Sequence, residues 1–91
     1  LGTKSRESVR RAEYDALRNV VVLLRNRAGL SQRELSRILG MPHTHIARVE
    51  GGTRTLDIVE FLDILEKVGA DPLQAMSELM NEISACRSKS E

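Results

Sequence analysis

Ninety-one residues with only two aromatics, Tyr14 and Phe61, and 41% hydrophobic side chains describe one small domain with an aliphatic core, which suits packed helices better than a sheet. One cysteine, Cys86, excludes an internal disulfide framework and fits a reducing cytoplasm, while the chain has neither an apolar run approaching the roughly 18 residues of a membrane span nor a signal-peptide pattern. The formal net charge of +1 hides an uneven split, with 11 Lys and Arg against 5 Asp and Glu in residues 1–54 and 3 against 8 in residues 55–91, so one part of the domain suits a polyanion and the other faces away from it.

Residues 1–9 read as a flexible N-terminal segment, 10–86 as the folded domain and 87–91 as a flexible tail. From Arg10 to Ala28 the pattern is helical, because Leu17, Val20, Val21 and Leu24 recur at spacings of three and four. The run VVVLL at 20–24 resembles a strand, but its flanks AEYDALRN and RNRA are helical in composition and carry no turn signal. Gly29 ends this helix as a left-handed cap. Arg6, Arg10 and Arg11 cluster near its start, as a basic arm for a phosphate or as a solvated end.

Ser31 and Glu34 form a capping box, S-x-x-E, and Leu35, Ile38 and Leu39 give the second helix its apolar stripe. Gly40 closes it. Pro42 presets the backbone for a third helix over 43–50, in which Ile46 and Val49 form the apolar pair and Gly51-Gly52 the stop. Asp57 and Glu60 repeat the box at the fourth helix, which carries Ile58, Val59, Leu62, Leu65 and Val68 and ends at Gly69. Its acidic residues Asp57, Glu60, Asp63 and Glu66 read as solvent-facing. Asp71-Pro72 starts a fifth helix with Leu73, Met76, Leu79, Met80 and Ile83. The fold class is therefore all-α, with five helices and short turns.

The second and third helices meet at a tight, glycine-containing turn, the layout in which a second helix can lie in a DNA major groove. At about 100° per residue, His43, Thr44, Ala47 and Arg48 share one half of the third helix, and His45, Ile46, Val49 and Glu50 the other. The first half is polar with a small alanine. Arg48 suits a bidentate contact with guanine and Ala47 a thymine methyl.

Residues 24–73 resemble the Cro/C1-type (XRE) helix-turn-helix family. The resemblance rests on LRNRAGLSQRELSRILG, on the I-x-x-V-E-G-G ending of the third helix and on VGADP, with S-Q-x-E-L at 31–35 its most specific part. It implies a five-helix lambda-repressor-like DNA-binding domain acting on double-stranded DNA. His43, Thr44, Ala47 and Arg48 fall on base-reading positions. Gln32 falls on a phosphate position beside the Ser31 cap, Thr53 and Arg54 in a loop that touches the DNA backbone, and Arg25 and Glu50 on a buried ion pair. Arg33 is expected at the backbone too, and His45, off the base-reading half, either partly packed or at the backbone. The chain departs from the family pattern where Pro42 replaces a capping Ser or Thr, Gly51 an Asn and His45 a smaller residue.

Other chemistries fit the same residues less well. His43 and His45, two apart, point about 200° from each other on a helix, whereas metal-binding helices space histidines four apart. No nucleophile–base set suggests catalysis, and no cofactor or small-molecule site is evident. The expected function is a sequence-specific regulator acting as a repressor in the cytoplasm. It would be a homodimer joined through residues 74–86 and part of the fourth helix, since one domain covers only a half-site. The alternative is an antitoxin or protein-interaction module that retains the helix-turn-helix fold.

Overall fold

A computed structural model describes the backbone of residues 6–90 and the side chains of residues 11–88. It contains five helices: α1 (Arg6–Arg27), α2 (Gln32–Ile38), α3 (His45–Gly51), α4 (Ile58–Val68) and α5 (Pro72–Ser90). Among the described residues there is no strand, and no helix is long and apolar enough to cross a membrane.

Both capping boxes close. The Glu34 amide donates to Ser31 Oγ at 3.0 Å while the Ser31 amide donates to Glu34 Oε1 at 2.8 Å. At α4 the Glu60 amide donates to Asp57 Oδ1 at 2.8 Å and the Asp57 amide to Glu60 Oε1 at 3.0 Å. Each box satisfies two orphan donors of a helix start. These bonds hold the Glu34 and Glu60 carboxyls below the usual carboxylate range.

One core spans all five helices. Val20, Val21 and Leu24 of α1 pack with Leu35 of α2, Ile46 and Val49 of α3, Leu56 ahead of α4, Phe61, Ile64 and Leu65 of α4, and Ala75 of α5. A second, smaller cluster joins Ala12 and Ala16 of α1 to Cys86 of α5. Polar ties run alongside it: Arg87 pairs with Glu13, Asn19 Nδ2 donates to Glu82 Oε2 at 2.8 Å, and Arg27 pairs with Glu78 at 2.8 Å. Residue numbers fall along α5 as they rise along α1, so the two helices run antiparallel.

Several boundaries and faces differ from the expectation. α1 begins at Arg6 rather than Arg10, and α5 continues to Ser90, through the stretch expected to be a tail. The Arg87–Glu13 pair accounts for part of that extension, because it gives a polar segment a partner on α1. Of the expected basic cluster, Arg11 is exposed, and the side chains of Arg6 and Arg10 lie outside the described residues. On α4, Phe61, Ile64 and Leu65 face the core, whereas Ile58, Val59 and Leu62 face outward, Val59 at 70% exposure. Of the four acidic residues expected to face solvent, Asp57 and Glu66 are exposed, whereas Glu60 and Asp63 are half-buried and hold Arg54 at 2.6 Å and Lys67 at 3.0 Å. The expected interface along 74–86 is partly occupied, because Ala75 and Cys86 are buried and Met76, Leu79 and Ile83 pack inward.

Candidate nucleic-acid interface

The turn between α2 and α3 is set by Gly40, whose φ of 72° is a left-handed conformation that other residues adopt at a cost. The Gly40 amide donates to the Arg37 carbonyl at 2.9 Å and the Met41 amide to the Ser36 carbonyl at 3.0 Å, the paired bonds of a Schellman motif. The chain then turns through Pro42, His43 and Thr44. The His45 amide donates to the Pro42 carbonyl at 2.9 Å, and the first α-helical bond runs from the Arg48 amide to the Thr44 carbonyl. α3 thus begins at His45, two residues later than the spacing predicts, and His43 and Thr44 lie in the lead-in turn rather than on the helix.

Thr44 occupies the cap position without capping. The cap comes from α2 instead. The hydroxyl of Ser36, fully buried, accepts the Ile46 amide at 3.0 Å and donates to the Gln32 carbonyl at 2.9 Å. One side chain therefore satisfies an orphan donor of α3 and fixes the two helices against each other.

The far end of α3 is held by charge. Glu50 receives Arg25 Nε at 2.7 Å, Arg25 Nη2 at 3.0 Å and Gln32 Nε2 at 2.7 Å. Only 13% of the Arg25 side chain and 6% of the Glu50 side chain reach solvent. A further Arg25 nitrogen donates to the Leu30 carbonyl at 2.9 Å. Bonding to Glu50 raises the Arg25 pKa above its ordinary value, against the opposing effect of burial. Gln32 is thereby fixed in place, with one amide hydrogen on Glu50 and a second left over.

α3 ends in another left-handed glycine. Gly52, at φ 85°, carries the conformation, while Gly51 remains helical. The Arg48 carbonyl accepts the Thr53 amide at 3.0 Å and the Arg54 amide at 3.2 Å. A Cβ on Gly52 would lie 3.5 Å from the Arg18 guanidinium, so α1 packs closely on this end.

Ala47 and Arg48 are exposed on α3, His43 is exposed in the turn ahead of it, and Thr44 is half-buried there. Ser31 and Arg33 are exposed at the start of α2, Gln32 is half-buried, and Thr53 and Arg54 are exposed beyond α3. Of the two places expected for His45, the packed one holds and the DNA-backbone one does not: it is 6% exposed and lines a cavity of about 50 Å3 with Leu39, Met41, Leu56, Glu60, Asp63 and Ile64. Burial, reinforced by Arg54 and opposed by Glu60, pushes its pKa below the usual histidine value. Its side chain is a packing element. With His45 buried and His43 exposed, the two histidines do not converge, and among the described residues no three His, Cys, Asp or Glu side chains cluster as metal ligands.

The arginines divide sharply. Arg18, Arg25, Arg27, Arg54 and Arg87 each pair with a carboxylate. Among the described residues, the guanidiniums of Arg11, Arg33, Arg37 and Arg48 have no ion-pair or hydrogen-bond partner, and three of these four lie on α2 and α3. Arg37 and Ser36 are the two residues of this corner that the sequence reading missed. The signal for Arg37 was its place four residues after Arg33, and for Ser36 its position as a small polar residue beside Leu35 on the inward side of α2.

A family model described as a helix-turn-helix domain matches residues 16–78. Among solved structures, an XRE-family like protein from Pseudomonas syringae pv. tomato str. DC3000 is 33% identical, with a TM-score of 0.73 over 82% of this chain and 92% of that one. Comparison with curated proteins gives no match.

Proposed function

The chain belongs to the XRE-type helix-turn-helix family of DNA-binding regulators, and from that premise we propose that it is a sequence-specific repressor whose α3 reads the major groove. The observation that carries this reading is the placement of the unpaired arginines. A guanidinium without a carboxylate partner is available to a phosphate or a guanine edge, and three of the four lie on the helix-turn-helix. Arg48 and Ala47 face outward from α3 and Thr44 stands at its entrance, so these three reach base edges. Gln32, Arg33, Ser31, Thr53 and Arg54 surround them and contact the DNA backbone.

The protein acts as a homodimer, because one reading helix spans only half of a palindromic site. The dimer face is the outward side of α4, Ile58, Val59 and Leu62, together with Leu73 at 83% exposure. Repression in the cytoplasm by occupying a promoter requires no surface beyond these two. The same apolar face favours the competing reading, an antitoxin or interaction module that binds another protein.

Selection from a random duplex library at about 150 mM salt separates the two. A palindromic winner with half-sites about 34 Å apart, bound about 10³-fold or more above scrambled DNA, supports the regulator. Binding that ignores sequence and vanishes with salt turns the assignment to the interaction module.

A further inference from the structure

Arg33 and Arg37 stand one turn apart on the exposed side of α2, at the i, i+4 spacing that brings side chains together. They line a shallow cleft of about 410 Å3 with Ser31, Glu34, Met41 and His43. Neither guanidinium has an ion-pair or hydrogen-bond partner among the described residues. The one carboxylate present, Glu34, is turned back to the Ser31 amide by its capping box and attracts Arg37 only at a distance, without an ion pair. Two guanidiniums against one engaged carboxylate leave the cleft positive, and the His43 imidazole, from the turn ahead of α3, adds a hydrogen-bonding group to its lining.

We propose that Arg33, Arg37 and His43 form a clamp for DNA phosphates at the groove wall beside the start of α3. It makes Arg37 a DNA-backbone residue and His43 a phosphate contact rather than a base reader. The inference rests on the DNA-binding reading above.

Position argues for a DNA phosphate over an acidic protein surface. His43 belongs to the turn that leads into α3, so the cleft opens beside the end of the reading helix that approaches the bases. A helix of about 10–12 Å diameter fills a major groove about 12 Å wide, so what lies beside it is the phosphate wall. The first helix of such a corner crosses that wall, and α2 presents Arg33 and Arg37 there. A clamp of this kind strengthens binding without reading sequence.

The test is a salt titration of Arg37→Ala and of the Arg33→Ala/Arg37→Ala pair on the selected duplex and its single-base variants, followed by fluorescence anisotropy. Each lost phosphate contact lowers the slope of log affinity against log salt by about 0.9. The affinity ratio between 50 and 200 mM salt therefore shrinks about 3-fold for the single variant and about 12-fold for the pair. The preference among bases stays unchanged. Replacing flanking phosphates one at a time by methylphosphonate weakens wild-type binding at one or two positions and leaves Arg37→Ala indifferent there.

Unchanged salt slope in Arg37→Ala, while Arg48→Ala loses discrimination, overturns the clamp and leaves DNA reading in place, with an acidic protein as the cleft's occupant. A changed base preference in Arg37→Ala also overturns it. If no duplex is bound with any sequence preference by the wild type, the DNA reading fails and the clamp with it. The Arg37 side chain is exposed and makes no hydrogen bond, so an unaltered urea midpoint establishes that the variant folds.

Discussion

Replacing Glu50 by alanine removes the acceptor at the junction of α1, α2 and α3. Three charge-assisted hydrogen bonds go with it, two from Arg25 and one from Gln32. Breaking one side of a buried ion pair costs about 3–5 kcal/mol, because the remaining charge stays out of water. Arg25 still has the Leu30 carbonyl at 2.9 Å and the Asn26 side chain at 3.3 Å, and 13% of its side chain still reaches solvent. The lower end applies, about 3 kcal/mol, a large part of the roughly 5–13 kcal/mol that holds a domain of this size together. With a urea m-value of about 1.2 kcal/mol per molar, the unfolding midpoint falls by about 2.5 M. Circular dichroism during urea titration measures it. The double variant Arg25→Met/Glu50→Leu restores most of the loss, since apolar replacement of a buried pair is close to neutral. A single-variant loss below about 1 kcal/mol, the range of an exposed pair, would refute the argument, as would a double variant no more stable than the single one.

Ser36→Ala leaves the buried Ile46 amide without its acceptor and costs about 1–3 kcal/mol; hydrogen exchange at that amide accelerates, and unchanged protection there would count against the interhelix cap. The depressed pKa of His45 means that the unfolded chain binds the proton more tightly than the folded one. Its contribution is therefore full above the ordinary histidine value near 6.5 and is lost as pH falls through the folded value. The groups facing it are Arg54, Glu60 and Asp63. His45→Gln flattens the pH dependence of stability between about 7 and 5 relative to wild type, and parallel curves would remove His45 from the account. Arg48→Ala weakens operator binding by about 1–3 kcal/mol and relaxes one base position, whereas Gln32→Ala weakens all duplexes alike and also lowers stability through Glu50; selection repeated on both variants distinguishes them.

What the sequence makes legible is local. Both capping boxes lie within four residues, and the glycines at 29, 40 and 69 stop helices where the apolar periodicity ends. What it hides is tertiary. Ser36 caps a helix ten residues further on, a bond that no spacing rule describes. α4 is apolar on two sides, so periodicity alone does not tell Phe61, Ile64 and Leu65 from Ile58, Val59 and Leu62; only contact with the rest of the core does. His45 shares the half of α3 that carries Ile46 and Val49, a place open to a packed histidine or a backbone contact, and only the tertiary fold decides that it is buried. The polar stretch after Cys86 reads as a tail because its partner, Glu13, lies at the other end of the chain.

The two ends of residue 48 serve separate purposes. Its carbonyl accepts the Thr53 and Arg54 amides that finish α3, a task any amino acid performs equally well, and its guanidinium has no partner in the fold. Ala47 is exposed beside it. Identity at these positions is therefore decoupled from folding. New outward side chains on α3 can be tried, in a laboratory or by mutation over generations, without disturbing the Ser36 and Glu50 anchors that orient the helix. The scaffold can thus stay constant while the outward face of α3 changes, so chains of the same architecture are free to differ there.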